Sequence, residues 1–222
     1  MKNILNKKLI QRYSRQIILK DVGPIGQKKI INSKVLVVGA GGLGCPVIDY
    51  LSRAGVGNIG IIDNDKVNIS NIHRQSLYNS RDVGEFKVNS VKEKIKLINP
   101  QVKIKTFKER ISKKNIEKIF KSYDFIVDGS DNFKTKFLLN KYSLKLKKRL
   151  IVGAISKFDG HIFSFDFKKK KNPCLKCFYQ TEPDDDILNC ESDGILGPVA
   201  GIVGNIQAIE VLKKILNFNK EI

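Results

Sequence analysis

The chain has 222 residues with 41 Lys+Arg against 22 Asp+Glu, a formal charge of +19, and a length that suits one domain with a packed core. Its 41% hydrophobic content with 17 Gly and 6 Pro excludes a disordered or collagen-like chain, and 4 Cys are too sparse for a secreted disulfide scaffold. The N-terminus, MKNILNKKLIQRYSRQ, lacks the apolar run of a signal peptide, and no window reaches the roughly 20 apolar residues of a membrane helix, so a cytoplasmic protein with no membrane role is expected.

After an N-terminal arm over 1–33, expected to be helical, Lys34–Gly44 (KVLVVGAGGLG) joins a β-branched apolar run to a glycine turn, and Pro46–Arg53 reads as the start of a helix. Ile59–Asp63 is a second buried strand that ends on an acid. The polar stretch Asn64–Gly84 carries no periodicity and is expected to be a functional loop. Within Lys87–Ile98, Val88, Val91, Ile95 and Ile98 recur at helical spacing, and Asn99-Pro100 is the stop. Val102–Phe107 alternates as a strand does, Asn115–Lys121 is a short helix, and Phe125–Asp128 is an apolar strand running into Asp-Gly-Ser-Asp-Asn. Phe133–Lys147 is expected to be helical, Leu150–Ala154 a strand, and Gly160–Phe167 a strand with one face in water. Beyond Pro173-Cys-Leu-Lys-Cys177 comes an acidic crossover loop over 179–193, expected to be mobile, and a last helix from about Val199 to Leu216. The alternation predicts a single α/β domain over 1–222, with a Rossmann-like, mostly parallel sheet and helices on both faces.

Gly39, Gly41 and Gly44 fit G-x-G-x-x-G directly after a strand, and Asp63 closes the next strand. Glycines allow a tight turn and a close backbone approach, and the following helix offers unpaired N–H groups to phosphate. Asp63 is placed to accept hydrogen bonds from ribose hydroxyls. These residues point to adenosine and phosphate and leave NAD, FAD and ATP open.

Further segments narrow the choice. Arg12-Tyr-Ser-Arg-Gln16, Gly39-Ala-Gly-Gly-Leu-Gly-Cys45, Asp63-Asn-Asp-Lys-Val67, Ser70-Asn-Ile-His-Arg-Gln75, Gly84-Glu-Phe-Lys87, Asp128-Gly-Ser-Asp-Asn132 and Pro173-Cys-Leu-Lys-Cys177 follow one another over residues 12 to 212. In that order the chain resembles the ThiF/MoeB/HesA family, bacterial relatives of ubiquitin-activating enzymes. The resemblance implies a ThiF-type fold with a shortened C-terminal antiparallel extension, and an adenylyltransferase using ATP and Mg²⁺. Its substrate would be the C-terminal glycine carboxylate of a small ubiquitin-like sulfur-carrier protein ending in Gly-Gly, in molybdopterin or thiamine biosynthesis. The partners implied are a second copy of the chain and a sulfurtransferase or cysteine desulfurase as sulfur donor.

The chemistry of these segments suits adenylation, in which a carboxylate attacks the α-phosphate and pyrophosphate leaves. Such a site holds a triphosphate, neutralises developing charge and excludes water. Arg74 and Lys87 supply cations, and Ser70, Asn71 and Gln75 supply neutral hydrogen bonds. Asp131 lies just past a strand's carboxyl end, where open α/β sheets bind ligands, and as a hard carboxylate it suits Mg²⁺. Asn132 is placed to contact adenine or ribose, Gly42 belongs to the phosphate loop, and Asp65 either binds nucleotide or braces its loop. By resemblance, Arg15 reaches the γ-phosphate of the partner subunit's ATP. His73 is expected to contribute backbone rather than imidazole chemistry.

Cys174 and Cys177 form a C-x-x-C that reads as half of a zinc site. The family's second C-x-x-C is missing, so a reduced dithiol and a half-site completed by another subunit stay open beside zinc. The missing tail is expected to expose a sheet edge, to be covered by the last helix or by a partner. Cys190 matches the family's mobile-loop cysteine, which takes part in sulfur transfer in some relatives and is dispensable for adenylation in others. Neighbouring Asp184–Asp186 and Glu191 disfavour its thiolate.

Two alternatives stand beside adenylation: an NAD-dependent oxidoreductase, from the glycines and Asp63, and a catalytically degenerate nucleotide-binding module, from the missing tail. A relative acting on a tRNA base with the same ATP site also fits. The charge does not argue for nucleic acid as a partner. Only 7 of the 41 basic residues are Arg, and the lysines are spread along a chain rich in Lys, Ile and Asn, whose codons are AT-rich.

Overall fold

β1 (Lys34–Val38) has four of its five residues almost wholly buried on both faces, which places it in the middle of a sheet covered by helices. The computed structural model, which describes residues 5–169, 172–179, 181, 183 and 194–218, bears this out. Six strands form one sheet in the order β3 (Lys103–Phe107), β2 (Asn58–Ile62), β1, β4 (Phe125–Asp128), β5 (Arg149–Ser156) and β6 (Asp159–Asp166). The first five are parallel, with Val35 beside Ile59 on one side and Phe125 on the other; β6 turns back antiparallel on β5. The sheet is therefore mostly parallel and Rossmann-like, as the alternation predicted.

The two-residue period of the strands sorts their side chains into two cores. Val35, Val37, Ile59, Ile61, Val127 and Ile151 meet α3 (Gly44–Ala54), α4 (Lys87–Ile98) and the long last helix α8 (Gly197–Leu216) through Ile48, Leu51, Val91, Ile95 and Val211. Leu36, Val38, Ile62, Ile126, Leu150 and Val152 meet α5 (Ile116–Phe120) and α6 (Phe133–Lys145) through Phe120, Phe133 and Leu139. A fully buried side chain of this kind contributes about 1.5–3 kcal/mol. The last described helix outside these layers is the single turn α7 (Leu175–Phe178), which packs on α6.

The N-terminal arm is helical, as α1 (Lys7–Ile17) and α2 (Gly23–Asn32), with Asn6 capping α1 by accepting from the Leu9 N–H. Asn99 does more than stop α4. It is fully buried, and its Nδ2 donates to the Tyr13 hydroxyl and to the Ser52 carbonyl, both at 2.8 Å, clamping the arm to α3.

Among the described residues the sheet's edges are β3 and β6, and α8 packs on α3, β5 and the edge strand β6 through the stripe Ala200, Val203, Ala208 and Val211. The strand expected over 150–154 extends to Arg149–Ser156, since the antiparallel pairing with β6 continues its ladder to Ser156 beside Asp159. Of the acidic loop, only residues 179, 181 and 183 are described, and Cys190 lies outside the described residues. Among the described residues no helix is long and apolar enough to cross a membrane.

Candidate active site

β1 and β4 are neighbours whose connections leave in opposite directions along the sheet, and their carboxyl ends open a crevice of the kind that binds ligands in such folds. The loops after β1 and β4 touch there. Gly39 has φ +91°, and a Cβ on it would lie 2.7 Å from the Gly129 carbonyl oxygen. At Gly44 a Cβ would run into the Gly39 carbonyl oxygen, so only glycine lets α3 start directly under the turn. The peptide between them is fastened from three sides: the Ala40 N–H donates to Asp63 Oδ2 at 2.7 Å, and the Ala40 carbonyl accepts from the Tyr78 hydroxyl at 2.8 Å and the Cys45 thiol at 3.4 Å. Burial pushes the Cys45 thiol up to about 12, so it serves as a buried donor rather than a nucleophile.

The crevice is a cleft of about 880 Å³. Gly39, Gly41, Gly42, Asp63, Asp65, Ser70, Asn71, Arg74, Gln75, Lys87, Asp131 and Asn132 all line it. Gly44 stands behind the wall, where it seats α3.

Asp63 is the acid at the end of β2. Its second oxygen accepts the Asp65 N–H at 2.7 Å. Burial raises its carboxyl pKa, while Lys87 and the two N–H donors pull it back. Lys87, at the start of α4, is 6% exposed and donates to Asp65 Oδ2 at 3.0 Å. Asp65 therefore braces the lysine as well as lining the cleft.

The loop that showed no periodicity is nonetheless ordered. Asn68 and Asn71 cap each other's backbone around a 3₁₀ turn at Ile69–Asn71, and Asn79 and Asp82 repeat the device at Ser80–Asp82. Lys94 of α4 ties the second turn down through Asp82 and the Leu77 carbonyl. Because Asn71 spends its oxygen on the Asn68 N–H, its amide donors are what it offers a ligand. Arg74 is steered by its own turn: Nη1 donates to the Ser70 carbonyl and meets His73 Nε2, both at 2.9 Å. Gln75 is buried in the wall beside Gly41, with no protein partner for Oε1 among the described residues.

Across the cleft, Asn132 caps α6 by accepting the Thr135 N–H at 2.8 Å and donates to Asp131 Oδ1 at 3.1 Å. Its oxygen is thus spent on the helix, which narrows the adenine or ribose contact expected of it to its remaining donor. Asp131 is exposed at the mouth of the cleft, where its carboxylate is open to a ligand. Mg²⁺ commonly takes one or two carboxylates and completes its shell with phosphate oxygens and water, and an exposed Asp131 fits that donor set.

Sequence reasoning missed Lys66, Asn68, Glu109–Ile111, Ser130, Lys134, Lys136, Ala154 and Ile155, which also line the cleft. Glu109–Ile111 follow β3, the neighbour of β2, so their place past a parallel strand's carboxyl end was the available signal. For Lys136 the signal was a lysine on an apolar stripe, between Phe133 and Phe137.

Arg15, Cys174 and Cys177 are not brought to this cleft, and Cys190 lies outside the described residues. Arg15 is exposed and lines a separate pocket of about 460 Å³ with Arg12, Tyr50, Arg53, Asn205 and Ile209. The Cys174 and Cys177 sulfurs lie 3.7 Å apart around α7. Burial works to raise the Cys174 thiol, but hydrogen bonds with Asn140 and Cys177 outweigh it and hold the thiol below its usual value. Among the described residues no third His, Cys, Asp or Glu joins this pair, which leaves it two ligands short of a four-ligand zinc site.

Comparison with known proteins finds relatives over most of the chain. The chain is 39% identical over 218 residues to the sulfur carrier protein adenylyltransferase of Thermus thermophilus, covering 96% of this chain and 80% of that one. It is 42% identical over 215 residues to the adenylyltransferase and sulfurtransferase MOCS3 of Aedes aegypti, covering 96% of this chain and 49% of that one. The chain spans about half the length of the MOCS3 and UBA4 relatives it matches. In fold it resembles E. coli MccB, solved with MccA-N7isoASN (TM-score 0.82, 24% identity, 97% of this chain and 66% of that one). It also resembles PaaA (TM-score 0.83, 24% identity, 100% and 70%). The ThiF family matches residues 13–222, nearly the whole length, with the glycine turn, Asp63, Arg74, Lys87 and Asp131 around one cleft. This chain belongs to the ThiF family.

Proposed function

We propose that the chain uses ATP to adenylate the C-terminal glycine carboxylate of a small ubiquitin-like sulfur-carrier protein ending in Gly-Gly, releasing pyrophosphate. The observation that carries this reading is the gathering of Asp63, Arg74, Lys87 and Asp131 in one cleft at the β1–β4 crevice. The relatives' names, adenylyltransferases for sulfur carriers, support it.

Asp63 accepts the ribose hydroxyls, and the backbone of Gly39–Gly42 lies along the phosphates with the N-terminus of α3 behind it. The carrier's carboxylate oxygen attacks the α-phosphorus, a new P–O bond forms, and the bond to the β-phosphate oxygen breaks. Negative charge then grows on the leaving pyrophosphate, where Arg74 and Lys87 meet it. Asp131 would hold Mg²⁺, which would supply positive charge against the triphosphate. Lys87 is already held at the cleft by Asp65, so little of its freedom remains to be lost when nucleotide enters.

The chain works as a homodimer in this reading. Arg15 lies outside its own cleft, beside an α8 face on which Ile202, Ile206 and Ile209 are 60%, 41% and 52% exposed. A second copy covering that face would carry Arg15 toward its partner's nucleotide. The acyl-adenylate then serves a sulfurtransferase or cysteine desulfurase that delivers sulfur to the carrier, in molybdopterin or thiamine biosynthesis. ATP–pyrophosphate exchange tests the reading: it should require a carrier ending in Gly-Gly and vanish in Asp131→Ala. No exchange with any such carrier would refute it.

A further inference from the structure

We infer that Lys136 is a positioning residue for Asp131: a buried ammonium that ties the two walls of the cleft together and thereby sets where the metal-binding carboxylate stands. The inference rests on the nucleotide-binding part of the proposed function.

Lys136 sits one turn into α6 on its apolar face, between Phe133 and Phe137, and is 1% exposed. A charge so placed is costly unless it is paired and hydrogen-bonded. Its Nζ donates to the Ser130 carbonyl at 2.7 Å and the Gly153 carbonyl at 2.6 Å, and lies 3.5 Å from Asp128 Oδ2. An ammonium has three N–H donors, and here all three face protein acceptors. Although Lys136 reaches the floor of the cleft, it therefore has no donor left for a ligand.

What it holds is specific. The Ser130 carbonyl belongs to the peptide group whose nitrogen is that of Asp131, so Lys136 fixes the plane from which the Asp131 side chain departs. Gly153 lies in β5, and the residues after it, Ala154 and Ile155, form another part of the cleft wall. The same loop is pinned from below by Asp128, which is fully buried and whose Oδ1 accepts the Ser130 N–H at 2.9 Å and hydroxyl at 2.6 Å. Gln207 of α8 donates to the Asp128 carbonyl at 2.8 Å. Among the described residues, the exposed Asp131 gains only the Asn132 contact at its carboxylate, so its position depends on the backbone beneath it.

Calorimetric titration of the full chain tests this, with ATP in Mg²⁺ and with ATP in excess EDTA. Lys136→Met should weaken binding of ATP with Mg²⁺ roughly tenfold, as the loss of a supporting group behind a metal ligand typically does. It should leave metal-free ATP within about twofold, and Lys136→Arg should recover most of the loss. In an Asp131→Asn background the effect of Lys136→Met should disappear, because the two residues act as one unit. Equal weakening with and without Mg²⁺, or an unchanged effect in the Asp131→Asn background, would overturn the inference. Should Lys136→Met fail to fold, Asp128→Asn/Lys136→Met removes both buried charges, and the same comparison and criteria apply to it. Failure of the exchange assay with these binding results intact would sink the adenylation reading and leave this one standing.

Discussion

The cleft and the α1–α8 face place their charged groups under opposite rules. In the cleft four charged residues of the proposed site are held: Asp63 by two backbone N–H groups, Lys87 by Asp65, Arg74 by the Ser70 carbonyl, Asp131 by Asn132. On the other face Arg15 stands exposed over a pocket, beside a helix that shows three isoleucines to water. The first region is organised within one chain, and the second is the face on which the proposed dimer rests. A pre-arranged site needs little reorganisation when charge develops, whereas an unpartnered apolar stripe gains its free energy only when covered.

The sharpest way to break this comparison is Arg15→Ala. If Arg15 acts on the partner's nucleotide, carrier-dependent exchange should fall roughly 10²- to 10³-fold, the usual cost of removing a group that meets developing charge. Mixing Arg15→Ala with Asp131→Ala protein should then restore about a quarter of wild-type activity, because half of the randomly formed dimers carry one intact site. No recovery on mixing would place Arg15 in its own subunit's chemistry or nowhere. Next in size is Gly44→Ala on the cleft side. The added Cβ meets backbone that cannot turn aside, and thermal denaturation should show a loss of about 3 kcal/mol. On the exposed face, Ile206→Asp should weaken self-association by about 2 kcal/mol, read as a concentration-dependent shift to monomer in sedimentation. It should leave the melting of the monomer nearly unchanged.

A further effect, of similar size, concerns pH. Burial raises the Asp63 carboxyl, so Asp63 gains its proton at higher pH than an exposed aspartate does. Nucleotide affinity should therefore be lost as pH falls through that raised value, by about 1.5–3 kcal/mol for a hydrogen bond to a charged group. Asp63→Asn should remove the step. For stability the sign is opposite: the native carboxyl is the weaker acid, so its burial cost is present above its native pKa and relieved below the unfolded one.

Much of the fold was legible because its signals were local. The β-branched runs of β1, β2 and β4 and the helical spacing of Val88, Val91 and Ile95 each matched one period, and the elements stand within a residue or two of the expected places. The glycine turn and Asp63 were readable for the same reason. What stayed hidden depends on distant partners. The order in Asn64–Gly84 comes from reciprocal Asn and Asp caps and from Lys94 on another helix, neither of which leaves a hydrophobic period. Glu109–Ile111 join the cleft only because β3 lies beside β2, and Lys136 only because α6 turns its first buried stripe under the Asp131 loop. The clamp at Asn99 looked like a simple helix stop until Tyr13 arrived from 86 residues away.

Transfer of label from ATP to the carrier tests the central claim most directly. The chain is incubated with a carrier ending in Gly-Gly and ATP labelled at either the α- or the γ-phosphate. Label from the α-phosphate should appear on the carrier's C-terminus, acid-stable enough to isolate and released by a thiol nucleophile, with none from the γ-phosphate. Label arriving from the γ-phosphate, or from neither position with every such carrier, would contradict adenylation.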